Sequence, residues 1–178
     1  MELPVTGYWR HGPVSLFLLG EEHVGPAYVG WLNDPAINRY LESRFTLQDE
    51  AGTRAFVAQM RARADTLFLG ICDERLGRHV GNIKLGPVDR RHGLGEIGLM
   101  IGDRAAWGQG VGSAAISATS AIAQHQLGLR KLTAGCYAAN VGSRKAFEKA
   151  GFQVEGVRPD HFILDGHPED LVLLGRVL

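Results

Sequence analysis

Short apolar runs alternate with amphipathic stretches along the chain, and their periods separate strands from helices. Residues 14–19, Val-Ser-Leu-Phe-Leu-Leu, form a compact apolar run closed by Gly20 and predict a strand. Residues 21–32 have helical character and stop at Asn33-Asp34-Pro35, because Pro35 disfavours helical geometry at Asp34. A second short helical piece is predicted over 37–41. Thr46 followed by Asp49 resembles a capping box, and Leu47, Ala51, Phe56, Met60 and Ala64 recur at roughly helical spacing, which predicts a helix over 47–64. Residues 67–72 and 79–85, joined by Asp73-Glu74-Arg75-Leu76-Gly77, predict a hairpin, and 95–101 a third strand beside it.

From Val111 the spacing Val111, Ala115, Ala118, Ile122 marks an amphipathic helix ending near Gly128. A strand over 131–137 follows, then a helix over 140–150 closed by Gly151, and two strands over 152–157 and 171–177 on either side of an Asp165-Gly166 turn. No internal repeat, linker or low-complexity segment interrupts this order. The expectation is one domain over residues 1–178.

Composition narrows the function classes. Nineteen Lys+Arg balance nineteen Asp+Glu, so the overall charge offers no phosphate-tracking surface, and nucleic acid is not expected as a partner. Cys72 and Cys136 stand far apart and no Cys/His spacing suits a metal, which points to a reduced, cytoplasmic setting. Residues 1–6 lack a basic segment leading into an apolar one, and no stretch is long enough to span a membrane, so no membrane partner is expected either. Glycine is the outlier, at 24 residues, roughly twice its usual ~7% share.

The glycines cluster in Trp107-Gly108-Gln109-Gly110-Val111-Gly112-Ser113, between a predicted strand and a predicted helix, where free backbone N–H groups and the helix dipole favour an anion. No Gly-Lys-Ser/Thr follows, so this is not a nucleoside-triphosphate loop. No acidic residue lies about 20 positions on, so it is a poor dinucleotide fingerprint. A diphosphate ester held by backbone amides without a metal fits better; the other reading is a turn that merely lets the helix pack close to the strand.

The sequence here resembles the GNAT superfamily of acyl-coenzyme A N-acyltransferases, whose signature is Arg/Gln-x-x-Gly-x-Gly/Ala. Gly110 and Gly112 match, and Trp107 stands in the Arg/Gln position, which is similar to the branch holding ribosomal-protein N-terminal acetyltransferases and nucleotide-amino-sugar acetyltransferases. A second motif, Asn140-Val141-Gly142-Ser143 leading through Phe147 to Lys149-Ala150-Gly151-Phe152, resembles the family's Asn-x-x-Ser/Ala helix ending in Lys-x-Gly-Phe. The resemblance implies an α/β (α+β) three-layer fold, with a mixed central sheet of about seven strands flanked by helices and a splayed cleft for acetyl-CoA, used as co-substrate without a metal. It further implies that backbone groups of Leu99, Met100 and Ile101 bind the pantetheine and acyl carbonyl. The turn from Trp107 through Gly108, Gln109, Gly110, Val111 and Gly112 to Ser113 would hold the pyrophosphate, and Asn140 and Ser143 would contact the coenzyme arm.

Direct attack by an amine needs a base, and Glu96 is the candidate: alternation sets Glu96, Gly98 and Met100 on one face against Ile97, Leu99 and Ile101. The alternative is a strand-end carboxylate paired with a base such as Lys84. Many family members protonate the leaving thiolate with a Tyr where this chain has Phe147. Ser143 is the candidate replacement, Tyr137 a weaker one, and a thiolate can also leave unaided. Cys136 reads as a small buried hydrophobe. His92 and His161 are placed in cleft-side loops as substrate contacts, or are simply solvated. Trp31, Asn33, Arg39, Tyr40 and Arg44 would form one acceptor wall, the arginines holding a phosphate or carboxylate and an aromatic stacking on a ring, or they are an ordinary helix face.

The leading reading is therefore an acetyl-CoA-dependent N-acetyltransferase acting on a small-molecule amine, a nucleotide-linked amino sugar first, with a protein N-terminal Ala/Ser second. A non-catalytic acyl-CoA sensor and a dinucleotide oxidoreductase are the rivals from other classes. The apolar last strand offers a surface for a homodimer.

Overall fold

The computed structural model describes residues 8–178. The expectation that residues 1–6 carry no leader lies outside the described residues. The chain runs β1 (Trp9–His11), β2 (Val14–Leu18), α1 (Pro26–Asn33), α2 (Pro35–Asn38), α3 (Glu50–Ala62), β3 (Leu67–Asp73), β4 (Arg78–Asp89), β5 (Leu94–Ile101), α4 (Val111–His125), β6 (Lys131–Tyr137), α5 (Val141–Lys149), β7 (Gln153–Leu164) and β8 (His167–Val177). Short 3-10 turns lie at Glu21–His23, Glu42–Phe45 and Arg104–Ala106. The strands form one open mixed sheet in the order β1-β2-β3-β4-β5-β6-β8-β7. Among the described residues, no helix is long and apolar enough to cross a membrane.

Eight strands stand where about seven were expected, and the differences have local causes. β1 is three largely polar residues long, too short to show a period. The helix expected over 21–32 breaks into a 3-10 turn and α1, because Pro26 occupies the first helical position behind Gly25 and cannot extend a helix from its N-terminal side. Asp34 ends α1 and also starts α2, its carboxylate accepting from the Ala36 N–H at 2.9 Å. The cap of α3 is Asp49, not Thr46: its side chain accepts from the Gly52 N–H at 2.7 Å. The last two strands form a hairpin twice as deep as expected, since residues 158–163 and 167–170 are mostly polar and exposed and lack an apolar alternation. Asp165 and Gly166 both have positive φ, as a two-residue hairpin turn requires.

Two clusters bury the two faces of the sheet. On one face Leu16, Leu69, Ile71, Ile83, Leu85, Ile97 and Leu132 pack beneath α4 and α5. Close approach is possible because the buried positions of α4 are mostly small or β-branched, Ala115, Ala118, Thr119, Ser120 and Ala123 among them. The hydroxyls of Thr119 and Ser120 satisfy themselves by donating to Ala115 O and Ile116 O at 2.9 and 2.8 Å. On the other face Leu19, Val24, Tyr28 and Val57 hold the α1–α3 layer, with Phe17, Trp31, Phe68 and Met100 packed against them. This gives the three layers. β8, proposed as a dimer surface, lies between β6 and β7, so both its edges are already paired.

Trp31 lies flat on the backbone just after β5: a Cβ on Gly102 would stand 2.1 Å from its Cδ2. Gly102→Ala must therefore displace the indole, and we expect a loss of about 1–3 kcal/mol, measurable by urea unfolding.

Candidate active site

The sheet contains one parallel contact, and it is short. β5 and β6 pair only through Leu94 with Lys131, Gly95 with Leu132 and Glu96 with Thr133. Beyond that point β5 stays with β4 as far as Ile101 opposite Gly81, while β6 stays with β8 as far as Tyr137 opposite Leu171. From Ile97 and Ala134 onward the two strands part, and the backbone edges facing the gap lack strand partners. Ile97, Leu99 and Ile101 face α4, whereas Glu96, Gly98 and Met100 face the α1–α3 layer. Glu96 is exposed, and its carboxylate makes no ion pair or hydrogen bond among the described residues. The alternative pairing with Lys84 does not form, as Lys84 stands opposite Gly98 instead.

The gap leads to the glycine-rich turn. Trp107 Nε1 donates to Ile101 O at 2.8 Å, fastening the turn to the end of β5 and occupying that carbonyl. Gly108 and Gly110 adopt left-handed φ of 71° and 78°, which bends the chain into α4 without a side-chain cap. The first bond into the helix runs from Ala114 N to Gly110 O at 3.0 Å. The amides of residues 108–113 donate to no acceptor among the described residues, as an anion cradle requires. Gly112 is the junction: a Cβ there would lie 3.5 Å from Ala146 Cβ on α5 and 3.6 Å from Leu99 Cδ1 on β5. Val111 is buried beneath the turn, Gln109 is exposed, and Ser113 Oγ donates to Gly110 O at 2.9 Å. Lys149 on α5 brings its ammonium over the turn, 3.9 Å from where a Gly110 Cβ would stand. The sequence reading did not single it out.

Asn140 caps α5, its Oδ1 accepting from Ser143 N at 3.1 Å and its Nδ2 making no bond among the described residues. The Ser143 hydroxyl makes no bond among the described residues either. Phe147 is 1% exposed and packs edge-on to Phe152, so the position of the family's usual acid is here part of the core. Cys136 is buried, and that burial pushes its thiol pKa up, away from a reactive thiolate. Tyr137 ends β6 on the face shared by Thr133 and Glu96. Its hydroxyl donates to Glu42 at 2.5 Å, and burial, then that carboxylate, push the phenol pKa up.

Of the five residues expected in an acceptor wall, Asn33, Arg39 and Arg44 line one groove with their side chains largely engaged, whereas Trp31 and Tyr40 are not part of its lining. Arg39 pairs with Asp165 at 2.6 Å, Tyr40 donates to Ala139 O at 3.2 Å, and Arg44 donates to Ile163 O at 3.1 Å, all tying the segment after α1 to the β6–α5 turn, β7 and the β7–β8 turn. Both partners of the Arg39 pair are more than half exposed, which limits it to less than about 1 kcal/mol. The buried Tyr137 ring stacks on Phe162 with centroids 4.0 Å apart, an arrangement worth about 0.5–1.5 kcal/mol beyond burial, and is the stronger tie. Arg39 and Arg44 border an open groove of about 600 Å³. Asn33 spends its amide on Gln48, accepting from its N–H at 2.9 Å and donating to its carbonyl at 2.8 Å. Trp31 packs against Tyr28 at a tilt and edge-on to His79, away from that groove. His161 adjoins Phe162. His92 is not beside the gap. It sits in the turn before Leu94, where β5 and β6 are still paired, and its carbonyl accepts from Arg130.

The acetyltransferase (GNAT) domain family matches residues 16–153, and the chain belongs to that family. YwnH of Bacillus subtilis strain 168, provisionally described as a phosphinothricin acetyltransferase, is 41% identical over 83 residues, 47% of this chain and 50% of its own length. The chain thus matches about half the length of that relative. Among solved structures, RimL, a ribosomal-protein alpha-N-acetyltransferase in complex with coenzyme A, superposes with a TM-score of 0.83 at 18% identity, covering 97% of this chain and 98% of its own. A spermidine N-acetyltransferase from Vibrio cholerae, in complex with coenzyme A and spermine, gives 0.82 at 16% identity over 93% and 95%. At these identities the likeness is one of fold.

His79 carries no signal in the sequence that would select it. It lies among Phe17, Tyr28 and Trp31, with Nε2 2.8 Å from both Gly81 O and Asn82 Oδ1. Burial pushes its pKa down. The unfolded chain takes up a proton near pH ~6.5 that the folded imidazole refuses, so stability present at neutral pH is lost as pH falls towards the lowered folded value. We expect the fall in melting temperature between pH 7 and pH 5 to be smaller in His79→Gln than in the wild type.

Proposed function

We propose that this protein is an acetyl-CoA-dependent N-acetyltransferase, one domain over its 178 residues, that moves an acetyl group by direct attack of a primary amine. The observation that carries the reading is the unpaired stretch of β5 and β6 running into a turn of six unengaged amides. Together they match an extended thioester arm ending in a diphosphate. In this reading the gap-facing backbone of Leu99 and the Ile101 N–H hold the arm, while Met100 between them turns its backbone to β4; residues 108–113 hold the pyrophosphate, and Lys149 adds a cation. Asn140 Nδ2 is a further donor to the arm.

The amine approaches from the α1–α3 side, where Glu96 is the carboxylate placed to take its proton. The C–N bond forms as the C–S bond breaks, and the thiolate leaves with a proton from Ser143 or from solvent. Tyr137 is a poorer donor because its proton is already committed to Glu42. For the acceptor, the arginines beside the groove support a nucleotide-linked amino sugar, with its phosphates held by Arg39 and Arg44 once Arg39 exchanges Asp165 for the ligand.

Acetyl-CoA at about a hundred times its Kd should stabilise the fold by about 2.7 kcal/mol, a rise of about 5–10 °C in melting temperature, whereas NAD(H) should give none. Release of coenzyme A thiol should then be stimulated by nucleotide amino sugars above N-terminal Ser/Ala peptides and polyamines. Stabilisation without release by any amine would instead favour a sensor. Glu96→Gln should lower kcat by about 10²–10⁴-fold while leaving acetyl-CoA affinity intact. Unimpaired turnover would remove Glu96 as the base.

A further inference from the structure

Glycine inside a strand weakens it and commonly marks a close approach of something else to the backbone. Most strand glycines of this sheet have such a neighbour within the protein. A Cβ on Gly70 would strike the Phe17 ring at 2.2 Å, one on Gly95 the side chains of Leu85 and Leu129 at 2.9 and 3.0 Å, and one on Gly175 the Glu155 carboxyl at 2.2 Å. Gly98 differs. Its φ is not left-handed, and a Cβ there would meet nothing within 4 Å, which among the described residues is true of no other strand glycine. Neither backbone geometry nor packing explains it.

Its position supplies a reason. Glu96 and Thr133 are the last paired residues of β5 and β6 and their side chains share a face. Two residues on, the same face carries Gly98 on one lip of the gap and Gly135 on the other. Both are exposed. Gly135 also lacks a left-handed φ, and its one close neighbour would be the flexible tip of Leu171, at 3.0 Å. The first same-face position on each lip is thus free of side chain, beside Glu96 and on the side from which the amine arrives.

We propose that Gly98 and Gly135 form a slot through which the acceptor reaches the thioester, open enough to admit a substituent on the carbon that bears the amine. The acceptor class is then an amine on a secondary carbon, as in an amino sugar or an amino-acid α-carbon, and the slot discriminates by shape at that carbon. This rests on the gap being the acetyl-CoA site.

Isomeric thioether analogues of coenzyme A test it, the sulfur carrying CH2–CO–NH–R with R either n-butyl or sec-butyl, so that only branching at the carbon next to nitrogen differs. Binding is measured by calorimetry, which requires no knowledge of the natural acceptor. The wild type should bind both within about threefold. Gly98→Ala should melt at or above the wild-type temperature, keep coenzyme A affinity within about threefold, and bind the sec-butyl analogue at least tenfold more weakly than the n-butyl one. Gly135→Ala should show the same preference and serves if the first variant folds poorly. A wild type that itself rejects the branched analogue tenfold, or variants that treat the isomers alike, would overturn the slot. A wild type that fails to bind coenzyme A would overturn the cofactor reading beneath it.

Discussion

β5 and β6 are neighbours over three residue pairs only, although each stays with its own antiparallel partner much further: β5 with β4 through Ile101, β6 with β8 through Tyr137. Those pairs lie at the N-terminal ends of both strands, so the gap opens toward their C-terminal ends. Backbone groups left without partners are expensive when dry, so the opening has to stay accessible to water or to a ligand that supplies hydrogen bonds. The rest of the molecule keeps this arrangement in place. α4 packs on the β2–β5 half and α5 on α4, and β5, α4 and α5 meet around Gly112 at the mouth of the turn.

The two faces of the sheet thereby acquire different chemistry. Beneath α4 and α5 the gap is bordered by Leu99, Ile101 and Val111 and leads to free amides. Above it stand Glu96, Lys84 and the ring cluster of Tyr40, Tyr137 and Phe162. The segment after α1 owes its position less to its visible ion pairs, which are solvated, than to the Tyr137 stack and its hydrogen bond to Glu42. Trp31, lying on Gly102, joins this layer to the segment that enters the turn.

Much of this was legible in the sequence where a feature is local. The glycine turn, the α4 spacing, the Asn140 cap and the Gly151 stop each declare themselves within one or two helical turns, and they were enough to identify the family. What escaped was assembled from distant residues. His79 becomes a half-buried imidazole because Phe17, Tyr28 and Trp31 converge on it from β2 and α1. His92 looked suitable because it sits in a loop flanking β5, but which end of β5 opens is decided by the pairing register with β6. Trp31 and Asn33 carry the right chemistry for recognition and spend it on the fold, the one on Gly102 and the other on Gln48. Composition could mark neither outcome, since both depend on which partner each side chain finds.

The outer hairpin has a consequence of another kind. β7 is an edge of the sheet and exposes Val154, Val157 and Ile163, an arrangement that invites a second strand to add alongside. Its pairing with β8 is interrupted between Val154 and Gly156 and again between Arg158 and Phe162, so the edge is divided into runs of no more than three paired residues. A continuous ladder has nowhere to nucleate on such a border, and Pro159 lies within the second interruption. The same irregularities that shape the hairpin's reach toward Arg39 and Arg44 thus guard the exposed side of the sheet against aggregation.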